Sequence, residues 1–370
     1  MITITDLKIS LLTTLLSLCL SFLIAPIVIN ILYKLKFRQM GKSEVETIIT
    51  NRKKSIGVPV MGGIIIVFPF LVVSLCILPH SQLILAIMVT TILYSILGFI
   101  NDFYDLTGKI NIKEGKVYSR VNKIVFKNFT TWSIFRYLTL PFKLLAYPID
   151  SVASFQTGLR PSIKFYFEYL LAIIIMTFAY QQGLATIIWL PFGITITNLY
   201  VVILFNATVI VSFINAFSWT DGVDAISPGN QGISFMLAGI LSLVLGYYSF
   251  AIMSFTIVGA EITFYYFNIP PARIEMSDVG TIPLGFLFAL LCILTNRTIL
   301  SPLLGIVFVI EILSSILQGF SLSIFKKKVF DMAPIHHHFE IKGWSKEKIV
   351  MRSYFIQLVA GIVGLLLALL

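Results

Sequence analysis

Long apolar runs separated by polar connections dominate the pattern of this 370-residue chain. Ten runs approach or reach the length of about 20 residues that a helix needs to cross the hydrocarbon layer of a membrane. They lie near residues 9–31, 60–78, 82–100, 163–181, 199–217, 231–247, 249–267, 281–295, 299–320 and 349–370. The pattern predicts an all-α, polytopic membrane protein with about ten transmembrane helices, in a single domain over residues 1–370.

The composition excludes an ordinary soluble domain. Hydrophobic residues make up 58% of the chain and charged residues 12%, whereas soluble domains carry about 25% charged residues. The net charge of +10 would also suit a nucleic-acid partner. In so apolar a chain, however, it favours anionic membrane lipid or a phosphorylated substrate, and we expect no nucleic acid.

The basic residues lie mostly in one set of connections. An even number of spans puts both termini on the same side, so the connections 32–59, 101–162, 218–230, 268–280 and 321–348 share the opposite side. They hold 23 of the 27 Lys and Arg residues. The positive-inside rule places these connections in the cytoplasm and both termini outside it.

One connection differs in composition from the others. Residues 109–128 are basic and polar, whereas residues 132–155 are more apolar but contain Pro141 and Pro148. The prolines disfavour a further span, and an amphipathic segment lying on the membrane surface fits better. We therefore expect an extended cytoplasmic insertion at about 106–157.

The scarce acidic residues and three of the four histidines follow the odd-numbered spans. Asp102 and Asp105 follow the third span, and Asp278 follows the seventh. Between them, Asp221 and Asp224 follow the fifth, while the histidines after the ninth are His336, His337 and His338. Carboxylates at a membrane border suit Mg²⁺ shared with substrate phosphates. A single aspartate is explained as well by solvation, but the whole group indicates one cytoplasmic site.

The basic side chains offer contacts for an anionic substrate. Adjacent side chains diverge, which makes three consecutive histidines unsuitable for a zinc site. Their N–H groups could instead donate to phosphate or uridine groups. Lys53 and Lys54 could contact phosphate, or could simply be solvated charges of the cytoplasmic side.

Five stretches carry a family resemblance. They are Met332 to Trp344 with its three histidines, Asn215 to Asp224 with Gly222, Phe267 to Ala272 with Asn268, Met276 to Gly280, and Pro59 to Gly63. On these motifs the chain resembles the phospho-N-acetylmuramoyl-pentapeptide-transferases, a branch of the polyprenyl-phosphate sugar-1-phosphate transferases (glycosyltransferase family 4). The resemblance covers nearly the whole chain except roughly 106–157.

The resemblance implies a Mg²⁺-dependent transfer between UDP-MurNAc-pentapeptide and undecaprenyl phosphate, giving lipid I and UMP. It implies a bacterial cytoplasmic membrane, an active site facing the cytoplasm and a homodimer. Asp102, Asp278 and Asp221 are the implied catalytic residues, and Asp278, Asp221 and Asn101 the implied metal ligands. The implied substrate contacts are Asn215, Asp224, Asn268, His336, His337, His338 and Lys54.

The chain departs from the family pattern at several positions. Asn101 stands where the family has an aspartate, so only its carbonyl could bind a metal, and Asp105 replaces a lysine. Ser277 replaces a glycine. Two alternatives therefore remain: a sister transferase for another UDP-sugar, or a catalytically altered membrane protein that binds polyprenyl lipid.

Overall fold

The computed structural model describes residues 4–38, 57–113, 158–190 and 194–369. Within these ranges the chain forms twelve α-helices and one small hairpin. The helices are α1 (Ile4–Lys34), α2 (Ile64–Ile77), α3 (Gln82–Lys113), α4 (Pro161–Gln181), α5 (Leu199–Thr220), α6 (Ile226–Val244), α7 (Tyr248–Asn268), α8 (Asp278–Leu294), α9 (Ser301–Leu304), α10 (Ile306–Ile324), α11 (Ile335–Ile341) and α12 (Lys346–Leu369).

Ten of these helices correspond one to one with the predicted spans, and only the short α9 and α11 do not. Seven are long and apolar enough to cross a membrane, namely α1, α3, α4, α5, α7, α10 and α12. The apolar helices α2 and α8 are shorter. Helix α6 is long, but it buries polar side chains such as Asn230 and Gln231. The chain is a multi-pass membrane protein, with seven of the ten predicted spans supported by length and composition.

Two boundaries differ from the prediction. Helix α3 continues to Lys113 instead of ending near residue 100, so Asp102 and Asp105 lie within a helix and not in a connection. The ninth predicted span begins with a 3₁₀ turn at Thr298–Leu300 and the short α9, because the backbone of Gly305 (φ −133°) interrupts the helix before α10.

The connection after α4 holds the one pair of β-strands within the described ranges. There β1 (Ile188–Trp189) pairs antiparallel with β2 (Thr195–Ile196). The predicted insertion at 106–157 lies outside the described residues, apart from the last turns of α3.

Helix α8 occupies the centre of the helix bundle. Every residue from Val279 to Leu294 is buried, and the helix packs against α2, α3, α5 and α6. This follows from the sequence, because a helix that is apolar on all sides has no face for water. The outer helices instead leave apolar side chains exposed, such as Leu23 of α1 and Phe355 of α12, as expected for surfaces in contact with lipid.

Glycines let the start of α8 approach its neighbours closely. A Cβ atom at Gly63, just before α2, would overlap the backbone of Gly280, and one at Gly98 of α3 would overlap the carbonyl group of Asp278. The backbone N–H groups of Gly62 and Gly63 donate to the carbonyls of Glu275 (2.8 Å) and Met276 (3.1 Å). These contacts fix the segment that carries Asp278.

We expect Gly63→Ala to destabilise the protein, because the added methyl group would force the Gly63 and Gly280 backbones apart. Overpacking of this kind costs about 1–3 kcal/mol. The measurement is thermal unfolding in detergent. Gly232→Ala is the matched control, since its Cβ would lie 3.8 Å from the nearest atom, in Glu261. Equal unfolding temperatures for the two variants would contradict the close approach.

Candidate functional site

A cavity of about 270 Å³ opens at one end of the bundle, where α5 ends, α4 and α8 begin, and α3 passes with Asn101, Asp102 and Asp105. Its walls are predominantly polar. They include five of the predicted site residues, namely Asn101, Asp102, Asn215, Asp221 and Asp278, and also Asp105, Lys164, Ser218, Glu275 and Ser277. The structure thus brings residues that are far apart in sequence to one place.

Asp278, the first residue of α8, receives donors from two other helices. Its Oδ2 accepts from Nδ2 of Asn101 at 2.6 Å and from Nζ of Lys164 at 3.0 Å. Its Oδ1 accepts from the hydroxyl of Thr281 at 3.2 Å. One carboxylate oxygen of Asp278 therefore accepts hydrogen bonds from both a lysine and an amide.

Asp102 caps α8 from another helix. Its two carboxylate oxygens accept from the backbone N–H groups of Asp278 (3.1 Å) and Val279 (2.9 Å). Helix starts have N–H groups without intrahelical partners, and a carboxylate there is stabilised further by the helix dipole. In this arrangement Asp102 positions Asp278.

The orientation of Asn101 does not favour the predicted metal ligation. Its Oδ1 accepts from the backbone N–H of Leu159 at 2.8 Å, and its amide group faces Asp278. The N–H donor of Leu159 identifies the oxygen, so the side chain cannot be turned round without losing both contacts. Asn101 acts here as a donor to Asp278.

Asp221 ends α5 and lies against the segment before α8. Its Oδ2 accepts from the backbone N–H of Ser277 at 3.0 Å. Burial raises the pKa of Asp221 to about 7, although this hydrogen bond opposes the shift. Ser277 has φ 59°, a strained conformation for a residue with a side chain, and its hydroxyl accepts from the N–H of Met61 at 3.2 Å.

Two charged residues of α4 that the sequence analysis did not assign to the site belong to this region. Lys164 lines the cavity, and Glu168, one turn further, is fully buried. Oε2 of Glu168 accepts from Nδ2 of Asn215 at 2.7 Å. The available signal was the presence of ionisable side chains inside a predicted span, which are costly there and so mark functional sites.

Asn268 and Asp224 lie beside the cavity and do not line it. Asn268 is buried and joins two loops: its Oδ1 accepts from the N–H of Ala225 and its Nδ2 donates to the carbonyl of Ile274, both at 2.7 Å. Asp224 forms an ion pair with Lys346 of α12 at 3.6 Å. In this structure both residues hold the loops in position. The predicted Lys54 lies outside the described residues.

Two of the three histidines converge, contrary to the expected divergence, although they are adjacent residues of the short helix α11, where neighbouring side chains normally project in different directions. Their Nε2 atoms are 3.2 Å apart. His336 Nδ1 faces Glu311 (3.0 Å) and His337 Nδ1 faces Glu340 (2.7 Å). His338 turns away towards Asp331.

The two imidazoles connect two carboxylates in one chain of contacts, from Glu311 through His336 and His337 to Glu340. A Cβ on Gly222 would collide with His336, so the histidine pair lies directly beside the turn that follows Asp221.

The carboxylates of the cavity determine which metal ions it could hold. Within the described ranges, no group of three or more His, Cys, Asp or Glu side chains is arranged to hold an ion. Asp278 and Asp221 nevertheless supply oxygen atoms on either side of Ser277, and Mg²⁺ characteristically takes one or two carboxylates and completes its shell with water and phosphate. The residues present therefore fit Mg²⁺ better than a fully protein-ligated metal.

We expect Asn101→Asp to destabilise the protein without divalent cations. It would replace a hydrogen bond by two carboxylates in contact, and an unsatisfied buried group costs about 1–3 kcal/mol. MgCl₂ should restore much of the loss. Thermal unfolding with and without Mg²⁺ measures both effects. Asn101→Ala, which loses the hydrogen bond without adding charge, should be the milder change; the reverse order would contradict this account.

We expect Asp221 to make stability depend on pH. Because its pKa is about 7 in the folded chain and about 3.9 when unfolded, the folded state holds the proton more tightly. Stability should therefore fall as pH rises between these values and level off above 7. Asp221→Asn has no carboxyl group at this position and should not lose this stability. The unfolding temperature of the variant minus that of wild type should therefore increase from pH 5 to pH 8 in metal-free buffer. A constant difference would contradict the shift.

The chain is similar in sequence to known proteins of one family. Residues 149–296 match the model of glycosyl transferase family 4. The chain is 30% identical to phospho-N-acetylmuramoyl-pentapeptide-transferases of Caldanaerobacter subterraneus subsp. tengcongensis (94% of this chain, 95% of the relative) and Halalkalibacterium halodurans (97% and 98%). It is 29% identical to that of Staphylococcus aureus (95% and 97%). The chain belongs to glycosyl transferase family 4.

Proposed function

We propose that this protein transfers phospho-MurNAc-pentapeptide from UDP-MurNAc-pentapeptide to undecaprenyl phosphate, forming lipid I and UMP. The observation that carries the proposal is the cavity in which Asp278, Asp221 and Lys164 meet at one end of the bundle. Similarity to phospho-N-acetylmuramoyl-pentapeptide-transferases along nearly the full chain supports the choice of substrates.

The reaction needs little covalent chemistry from the protein. A phosphate oxygen of the lipid attacks the phosphorus next to the sugar, the P–O bond to UMP breaks, and UMP leaves with the electron pair. The attacking oxygen is largely ionised at neutral pH, since the second pKa of a phosphate is about 6. The main tasks are therefore alignment of two anions and stabilisation of negative charge.

The side chains divide these tasks among them. Asp278 and Asp221 would hold Mg²⁺, which supplies charge neutralisation to the pyrophosphate when bound. Lys164 would attract phosphate oxygens, and His336 and His337, beside the turn after Asp221, would contact the nucleotide sugar. Asn215, fixed by Glu168, presents its amide side chain at the cavity wall as a polar contact for the nucleotide sugar.

The location of the cavity fits a lipid substrate. It opens at the helix ends that carry the basic connections, so by the positive-inside rule it faces the cytoplasm. The bacterial sources of the similar proteins agree with a cytoplasmic membrane. In this placement a soluble nucleotide sugar reaches the cavity from water, and a polyprenyl phosphate reaches it along the exposed apolar sides of the outer helices.

We expect the purified protein to release UMP from UDP-MurNAc-pentapeptide only when undecaprenyl phosphate and Mg²⁺ are both present. Asp278→Ala should lower this rate by at least about 10²-fold, the usual effect of losing a group that stabilises developing charge. A coupled assay for UMP measures the rate. UDP-N-acetylglucosamine serves as the comparison substrate.

Each outcome separates the alternatives. Release from UDP-N-acetylglucosamine alone would favour a sister transferase. No release from either nucleotide sugar would favour a protein that only binds lipid, for which Asn101 and Asp105 in the cavity wall are the motivating observation. Unchanged release by Asp278→Ala would reject the assigned site.

A further inference from the structure

Two ionisable side chains lie one helical turn apart on α4, one at the cavity and one behind it. Lys164 forms an ion pair with Oδ2 of Asp278 at 3.0 Å. Glu168 is 0% exposed, and its Oε2 accepts from Asn215. Its Oε1 is buried and has no hydrogen-bond partner among the described residues. A buried carboxylate oxygen without a donor is costly.

The ion pair at Asp278 conflicts with the binding of a divalent cation there. The ammonium group occupies Oδ2 together with the amide of Asn101. A cation on the same oxygen would lie within a few ångströms of the ammonium group, and two positive charges at that distance repel strongly inside a protein. Lys164 must therefore move away when Asp278 binds a cation.

Glu168 is the acceptor within reach of the displaced lysine. Residues four apart on a helix are neighbours on one face, and the lysine side chain is a flexible four-carbon stem. The two groups already interact electrostatically without a hydrogen bond between them. The hydroxyl of Tyr94 donates to the backbone carbonyl of Glu168 at 2.8 Å, which adds a contact that holds this turn in place.

We propose that Glu168 is a positioning residue that receives the ammonium group of Lys164 on its free Oε1 when Asp278 binds a divalent cation. The proposal rests on the proposed function, since it presupposes the cation. Glu168 would then keep Lys164 at the cavity edge, near the substrate phosphates, while leaving Asp278 open. The same carboxylate keeps Asn215 in place through Oε2, so one buried group orients two side chains of the cavity wall.

The experiment measures binding of Mn²⁺ alone to the purified full-length protein by electron paramagnetic resonance, without nucleotide sugar or lipid. Glu168→Gln retains the shape and an acceptor for Asn215 but removes the charge. We expect it to weaken Mn²⁺ binding roughly tenfold, as losses of outer-shell partners do. Lys164→Met should strengthen binding, because it removes the competitor for Asp278.

The double variant tests whether Glu168 acts through Lys164. In the Lys164→Met background, Glu168→Gln should have little further effect on Mn²⁺ affinity, which a double-mutant cycle reports as coupling. Glu261→Gln is the matched control. Glu261 is equally buried on α7 and does not line the cavity, but its charge acts on Asp221, so its variant should change Mn²⁺ affinity by the same factor with and without Lys164→Met.

Three results would overturn the proposal. If wild type bound no Mn²⁺, the metal site of the proposed function would fail together with it. If wild type bound Mn²⁺ and folded Glu168→Gln bound it equally well, only the role of Glu168 would fail. If Lys164→Met bound Mn²⁺ more weakly than wild type, the competition between Lys164 and the cation at Asp278 would be refuted. This result does not depend on whether the Glu168 variant folds.

Discussion

The carboxylate of Asp102 at the start of α8 is the contact on which the site depends. Helix α8 is buried from Val279 to Leu294, so its first N–H groups need acceptors from the protein. Asp102 of α3 supplies both oxygens. Because these bonds fix the first turn of α8, they also fix Asp278, and the glycine contacts with the Gly63 segment hold the same turn from the other side. The geometry of the candidate site is thus a consequence of burying α8.

The charges around Asp278 explain what the cavity can bind. Among the described residues that line it, five are acidic, namely Asp102, Asp105, Asp221, Glu275 and Asp278, and one is basic, Lys164. Burial makes such an excess of negative charge unfavourable, and the raised pKa of Asp221 is one sign of this. A divalent cation relieves the excess, whereas a substrate phosphate alone would increase it. The cavity therefore favours a cation before, or together with, an anionic substrate, with Lys164 holding Asp278 until then.

The sequence predicts the helices far better than it predicts the contacts between their ends. Ten apolar runs locate ten helices because burial in lipid needs length and apolarity, which are local properties. Polarity changes near residue 100, yet α3 continues to Lys113, since a helix can leave the membrane without ending. Grouping the acidic residues by connection anticipated one site. The pairings of Lys164 with Asp278 and of Glu168 with Asn215 could not be predicted, because they depend on how α4 packs against α3 and α5. The convergence of His336 and His337 could not be predicted either, because it depends on their contacts with Glu311 of α10 and with Glu340.

The arrangement gives a physical explanation for asparagine, and not aspartate, at position 101. An aspartate there would add a sixth carboxylate to the lining of the cavity and would face Oδ2 of Asp278, where the amide now donates at 2.6 Å. Asparagine removes that repulsion and holds Asp278 in one orientation, while its carbonyl secures Leu159 at the entry to α4. The carboxylate of Glu168, behind Lys164, supplies negative charge that an asparagine at 101 cannot. Asparagine in place of aspartate at position 101 therefore affects mainly the stability of the cation-free site and the position of Lys164. It does not by itself remove the two carboxylates, Asp278 and Asp221, that a cation would need.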